Sequence, residues 1–341
     1  MKAAVAWSAR PPQDWALPPP YGWRSVGLVL LVVLVLLVTG QRLEMGRMAV
    51  LTGEALQSAV GMRESSQVGK GLSRLAQAML PLQISERTEV ARIEGFDRTH
   101  LPWLSHLEVV EQRMQKLDPQ TLQMVEQVER QEVLVEPLGY LAHVLVKMLE
   151  TLEIALWGTL IAVLLSLPLA VLGAHNYSPH RLAYAGTRML VSLLRAVPEL
   201  ISALFLVLAY GFGPIAGVLA LGLHGAGFLG KFYAEDIENA APRPQQALLA
   251  IGAGRLAVLR HAVLPEVLPK YTAYTLYLLD RNVRMATVVG LVGAGGIGQE
   301  LKGRYDMYQY AHVATILLAI FATVYLLDLV AARLRRHMDR A

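Results

Sequence analysis

The chain has 341 residues, of which 54% are hydrophobic and only 17% charged, with a formal net charge of +4 and a mean hydropathy of +0.41. Soluble domains carry about 25% charged residues. Much of this chain must therefore face lipid, and disordered, collagen-like and disulfide-stapled classes are excluded. With no cysteine, thiolate metal sites and cysteine nucleophiles are excluded as well.

The charge is unevenly spread. Residues 41–150 hold 12 Lys/Arg and 15 Asp/Glu, and the remainder of the chain holds 19 and 12. This pattern reads as one polar insert in a membrane protein. The basic excess elsewhere matches the loop bias of membrane proteins and does not require nucleic acid.

The first apolar run is Val26 to Val38, preceded by Tyr21 and Trp23. It fits a signal peptide with Lys2, Arg10 and Arg24 as its basic region, or an uncleaved anchor. The long leading segment, with Pro11, Pro12, Pro18, Pro19 and Pro20, favours the anchor. Residues 1–40 are thus a cytoplasmic N-terminus and a first membrane helix. Residues 41–150 read as a helical extracytoplasmic insert. Leu107, Val110, Met114 and Leu117 recur at helical steps, Pro119 interrupts, and Leu122, Val125 and Val128 resume.

Membrane character returns with Thr151–Gly173. Further spans are expected at Arg188–Tyr210, Gly213–Gly230, Pro269–Val292 and Tyr310–Val330, with a polar stretch Lys231–Arg260 between the third and fourth. The expected fold class is all-α: about six membrane helices, with a five-helix core over 151–335. The basic residues Arg181, Lys231, Arg243, Arg255, Arg260, Arg333, Arg335, Arg336 and Arg340 fall on the side of the N-terminus. By the positive-inside rule both chain ends are cytoplasmic, and 41–150 lies on the far side.

Two glycine-rich segments imitate nucleotide sites. Gly225 to Lys231 matches the first seven positions of a P-loop, but Phe232 stands where Ser or Thr must hold Mg²⁺, and a span precedes it. Gly293-Ala-Gly295-Gly296-Ile-Gly298 spells GxGxxG without the required preceding strand. It reads as a turn or a close backbone contact. His224, alone in an apolar span, reads as a hydrogen-bonded structural histidine.

The informative stretch is the cytoplasmic segment at about 235–265, where Gln246, Ala247 and Gly252 are followed by Gly254 and then Leu264-Pro265. It reads as a helix, a glycine break, a second short helix and a proline opening the next span. It resembles the EAA motif of ABC-importer permeases, with Gln246 in place of Glu and Ala262 in place of Ile. A short helix protruding from the membrane suits docking into a groove of a partner ATPase.

Four further segments extend the resemblance: Leu194 to Leu200, Gly217 to Gly227, Asp280 to Gly290 and Gly293 to Gln299. They are similar to the permeases of phosphonate importers, a family with relatives handling phosphite and other reduced phosphorus oxyanions. The resemblance covers about 150–335. It implies a homodimeric permease in the bacterial inner membrane, two ATP-binding subunits and a periplasmic or lipid-anchored binding protein. It implies no cofactor in this chain, ATP and Mg²⁺ being held by the partner, and no covalent chemistry.

Charges inside the spans are the candidate path residues. Arg195 and Glu199 stand four apart, as do Asp280 and Arg284, with Asn282 between the latter. Each pair is expected either to neutralise itself locally or to line a path for an oxyanion. Three rivals remain: the same machine with another solute such as methionine, a channel or secondary transporter, and a membrane signalling protein sensing through 41–150. Intramembrane acids are too few for a proton relay, and no kinase, cyclase or receiver-docking motif accompanies the insert.

Overall fold

The computed structural model describes residues 23–61, 66–98, 100–117 and 124–338. The expected basic region Lys2 and Arg10, its prolines, Tyr21, Pro119, Leu122 and Arg340 lie outside them. The chain divides into two units, Met1–Ala76 and Gln77–Ala341.

In the first unit, α1 (Trp23–Arg42) is a continuous apolar helix with Thr39 Oγ1 donating back to the Val35 carbonyl at 2.6 Å. It is followed by α2 (Met45–Ala59), and α3 (Gln67–Met79) runs from this unit into the next. In α3, Val68, Leu72, Leu75 and Met79 share one face, and Lys70 and Arg74 lie on the other.

The second unit corrects the helical expectation for the insert. Past α3 the described residues form a three-stranded antiparallel sheet of β1 (Glu86–Glu89), β2 (His106–Leu117) and β3 (Met124–Glu136), ordered β1-β3-β2. β2 pairs with β3 from His106↔Val135 to Leu117↔Met124. Three- and four-residue apolar steps coexist here with β-branched valines at 109, 110, 125, 128, 133 and 135. Cross-strand pairing and burial of Val133, Leu134 and Val135 override the helical period. The sheet leads directly into α4, and the connection is pinned: Leu141 N–H donates to Ile84 O at 3.1 Å and Thr315 Oγ1 to Gln83 O at 2.7 Å.

The helical core comprises α4 (Gly139–Gly173), α5 (Arg181–Ala196), α6 (Glu199–Tyr210), α7 (Pro214–Asn239), α8 (Pro242–Ala250), α9 (Arg255–Val258), α10 (Leu264–Gly290), α11 (Gly296–Asp306) and α12 (Tyr310–Met338). α4 and α7 form its closest pair. Small residues make that approach possible: a Cβ on Gly158 would stand 2.9 Å from Leu221 Cβ, one on Gly222 2.9 Å from Ile161 and one on Gly225 2.8 Å from Ala162. In lipid, where helices gain little from apolar burial, such tight packing holds spans together. Tyr233 of α7 stacks on Tyr271 of α10 at 3.7 Å, and the Tyr271 hydroxyl donates to Tyr233 O at 2.7 Å.

Among the described residues, four helices are long and apolar enough to cross a membrane, or five if the bent pair α5–α6 counts as one span. The expected span Arg188–Tyr210, interrupted at Arg195, Pro198 and Glu199, is a pair of helices bent by 90°. Pro198 has no N–H for the helical ladder and forces Val197 into an extended conformation (φ −84, ψ 119). α10 has the length to cross, about 40 Å for its 27 residues, but carries Glu266, Lys270, Asp280, Arg281 and Arg284.

Candidate translocation and coupling sites

α8 and α9 hang between α7 and α10 as a protruding hairpin. Gly252, at φ +84, ends α8: its N–H donates to Leu249 O at 3.0 Å and that of Ala253 to Leu248 O at 3.0 Å. A left-handed residue at this place is where glycine is favoured. Gly254 is ordinary extended backbone (φ −70, ψ 160) opening α9. A π-helical turn, Leu259–Val263, joins α9 to α10, whose first residues are Leu264 and Pro265.

The inner side of the hairpin is anchored. Tyr177 hydroxyl donates to Gln245 Oε1 at 3.1 Å, Gln245 Nε2 donates to the Ala240 and Ala241 carbonyls, and the Ala241 N–H is held by both Glu266 oxygens at 3.1 Å. Arg188 braces the base, with Nε donating to Gly173 O at 2.8 Å and Nη2 to Glu238 at 2.8 Å. The outer side is largely exposed: Gln246 and Ala247 are exposed, and Leu249, Ile251 and Leu256 are 52, 80 and 78% exposed. With Leu264 and Pro265 opening α10, the sequence-expected residues Gln246, Ala247, Gly252 and Gly254 thus lie on one anchored hairpin. It sits at the end of α4 opposite to the sheet.

The intramembrane charges are arranged differently from their spacing. Because the chain breaks at Pro198, Arg195 and Glu199 are not on one helical face and do not pair. Glu199 instead pairs with Arg281 of α10 and lies 3.2 Å from Nε2 of His224 on α7. Arg281 Nη2 is also 3.3 Å from that nitrogen, and His224 Nδ1 is 3.2 Å from Val197 O. His224 is hydrogen-bonded as its isolation in the sequence suggested, but within an ionic cluster that spacing did not reveal. Arg281 sits one position from Asp280, so it projects from another face of α10. Only the helix positions show that Glu199 is its partner.

Asp280 and Arg284 do pair, Nη2 to Oδ2 at 2.7 Å, and Arg284 Nη1 also reaches Asp328 of α12 at 3.5 Å. The Arg284 side chain is 45% exposed and Asp328 52%. Asn282 is buried on another face, where Nδ2 donates to Thr159 Oγ1 at 2.9 Å and Thr159 donates to Ala155 O at 2.7 Å. It links α10 to α4.

Neither glycine-rich segment is a nucleotide loop. Gly225 to Lys231 is continuous helix within α7, so its N–H groups are not splayed toward a phosphate. Gly293 to Gly298 makes the turn from α10 to α11, with φ of +93, +85 and +69 at Gly293, Gly295 and Gly296. The N-terminus of α11 is capped from α4: Gly296 N–H donates to Glu150 Oε1 at 3.0 Å and Ile297 N–H to Thr151 Oγ1 at 2.8 Å. Further along α11, burial would raise the Glu300 carboxyl. The hydrogen bond and charge of Arg304 outweigh it and hold Glu300 below its ordinary value. That contribution is present above the usual carboxylate range and lost as pH falls through it.

Comparisons with known proteins agree with this arrangement. The family described as binding-protein-dependent transport system inner membrane component matches residues 160–341. A Stutzerimonas stutzeri protein named for a phosphite transport system permease, HtxE, is 58% identical over 260 residues, 76% of this chain and 100% of that protein. PtxC of the same organism, a phosphite transport system permease protein, is 47% identical over 56% of this chain and 69% of its own. Among solved structures, the inward-facing MetNI methionine ABC transporter has a TM-score of 0.50 at 23% identity, covering 57% of this chain and 95% of that one. An amino acid ABC transporter with histidines has a TM-score of 0.50 at 15% identity, covering 58% and 95%. Both likenesses show the fold alone. The chain belongs to the family of inner-membrane components of binding-protein-dependent transport systems, as a membrane permease of the ABC-importer fold.

Proposed function

We propose that this chain is the permease subunit of an ATP-driven importer of small phosphorus oxyanions: phosphite, hypophosphite or phosphonate. The observation that carries the reading is the 58% identity along the whole of a relative named for phosphite transport. The methionine alternative draws support only from a fold likeness at 23% identity. In this reading two copies form the path, and two ATP-binding subunits holding ATP and Mg²⁺ dock on the hairpins. A binding protein delivers the anion on the side of the sheet. The hairpin and both chain ends are cytoplasmic, which the basic residues near the hairpin, Arg243, Arg255 and Arg260, support. The chain itself does no covalent chemistry and holds no cofactor.

The test is accumulation of phosphite in vesicles containing the permease, its ATPase and its binding protein. ATP-dependent uptake is expected; uptake without ATP, or none of any phosphorus oxyanion, overturns the reading.

The hairpin carries a prediction of its own. Its exposed apolar residues suit a hydrophobic groove, and Leu256 contributes nothing to this chain's core. Leu256→Glu should leave the permease folded and lower its recovery with the ATPase by about tenfold, the factor that about 1.4 kcal/mol of lost docking energy produces. Co-purification at full strength would count against the docking role.

Arg284 carries another. An ionised side chain at membrane depth costs about 3 kcal/mol on insertion scales unless a partner or water covers it. Arg284 and Asp328 are exposed and form a charged face with the partly buried Asp280, so in the assembled permease they face a water-filled path. Arg284→Ala should abolish uptake while assembly with the ATPase survives; normal uptake would remove Arg284 from the path.

A further inference from the structure

Around the break between α5 and α6, the described residues bring together Arg195, His224 and Arg281 with the single carboxylate of Glu199. Arg195 ends α5, Glu199 opens α6, His224 is on α7 and Arg281 on α10. Glu199, with 9% of its side chain exposed, is shared by Arg281 and His224. Arg195 packs on the next turn of α7, where a Cβ on Gly227 would stand 3.0 Å from Arg195 Cγ. Its Nε is buried without a hydrogen-bond partner among the described residues. Among the described residues no carboxylate pairs with Arg195, while the nearby Glu199 carboxylate is held by Arg281, and an unpaired charge is costly there.

The cluster also lies at the right depth. His224 is ten residues into α7 and Arg281 nine residues before the end of α10, about 14–15 Å from those helix ends at 1.5 Å per residue. The two ends adjoin, since Gly213 N–H donates to Gly293 O at 3.0 Å. With a hydrocarbon layer about 30 Å thick, the cluster sits near its middle. Broken helices at mid-membrane are where transporters expose ends of helix dipoles to ions, and an N-terminal end favours an anion.

We propose that Arg195, Arg281 and His224 form an oxyanion subsite in which Glu199 is the resident counter-ion that the cargo displaces. The inference rests on the importer assignment and adds to it a place where the anion is held during passage. The His224 ring stands with Nδ1 3.2 Å from Val197 O and Nε2 3.3 Å from Arg281 Nη2, which holds it against that guanidinium. Arg281 can thereby stay oriented while its carboxylate partner is exchanged for a phosphorus oxyanion. That oxyanion offers oxygen acceptors to Arg281 and to the Arg195 Nε, which has no partner among the described residues, whereas the Glu199 carboxylate pairs with Arg281 and not with Arg195. Glu199 returns to Arg281 when the anion leaves, so the subsite holds its cargo without trapping it.

The test uses the full transporter, with permease, ATPase and binding protein, in vesicles, and phosphite as the probe. Arg195→Gln removes a partly buried charge whose Nε makes no hydrogen bond among the described residues, so thermal stability should be equal to or above wild type. Phosphite accumulated per ATP hydrolysed should fall about tenfold or more, the factor expected for one charge-assisted hydrogen bond. In the complex without its binding protein, Glu199→Gln removes the competing anion and should bind phosphite about tenfold more tightly than wild type by phosphorus-31 NMR titration. A purely structural cluster would give no such gain. Coupled uptake within about twofold of wild type in Arg195→Gln, or no tighter binding in a folded Glu199→Gln, overturns the subsite while leaving the importer reading intact. If wild-type vesicles accumulate no phosphorus oxyanion, both fall.

Discussion

Replacing Arg281 with alanine is expected to cost about 3–5 kcal/mol of stability, the range seen when one partner of a buried ion pair is removed. Glu199 is 9% exposed at the head of α6 and has Arg281 as its cationic partner and His224 as its neighbour. Without the guanidinium, the carboxylate must stay charged in a poor solvent or take up a proton. Either way α6 loses its tie to α10, and the ring of Phe228 loses the guanidinium 5.9 Å from its centroid. The melting temperature of the detergent-solubilised permease, read as loss of the monodisperse peak, should drop well below wild type. Arg281→Ala combined with Glu199→Gln should recover part of the loss, because the stranded charge is gone. A single variant as stable as wild type would show the pair to be ornamental. The contrast with Arg195→Gln, expected to be neutral or stabilising, separates a paired from an unpaired arginine within one cluster.

Gly298→Ala is expected to be at least as damaging, for a steric reason. An added Cβ would stand 2.0 Å from the Thr287 carbonyl oxygen and 2.9 Å from Gly290 Cα. Both are backbone atoms of α10, so no side chain can swing aside. Relief requires α11 to separate from α10, which also breaks the capping bonds from Glu150 and Thr151. The cost should be about 3 kcal/mol or more, at the upper end for overpacking. Folded yield and melting temperature would both report it. Gly252→Ala is the internal control. At φ +84 it meets no atom within 4 Å, so it should cost only the left-handed strain of about 1 kcal/mol. A Gly298→Ala protein as stable as Gly252→Ala would refute the close contact.

Much of the molecule was legible because its signals are local. Apolar runs long enough to span, the glycine and proline punctuation of the 242–265 hairpin, and the missing Ser/Thr and strand around the two glycine decoys are each settled within a short segment. The Asp280–Arg284 pair was legible too, because α10 is an unbroken helix and i,i+4 neighbours meet on one face. The Arg195–Glu199 pair failed by the same rule, since Pro198 lies between them and turns the chain by 90°. The sheet failed for another reason. Leu107, Val110 and Met114 satisfy helical steps, and only pairing along β2 and β3 decides between a helix and a strand rich in β-branched residues.

Composition and charge alone determined that this is a membrane protein with one charge-dense segment, because lipid and water sort residues by type. The motif segments alone determined the family resemblance and the position of the hairpin, because backbone turns need particular residues at particular spacings. Only the tertiary structure decided that Glu199 belongs to Arg281 and His224, that Arg195 is left without a partner at Nε, and that Asn282 joins helices rather than the charged face. Those outcomes depend on how three spans far apart in sequence are rotated and stacked. That is set by glycine-mediated contacts between α4 and α7 and by the break at Pro198, and no local pattern encodes it.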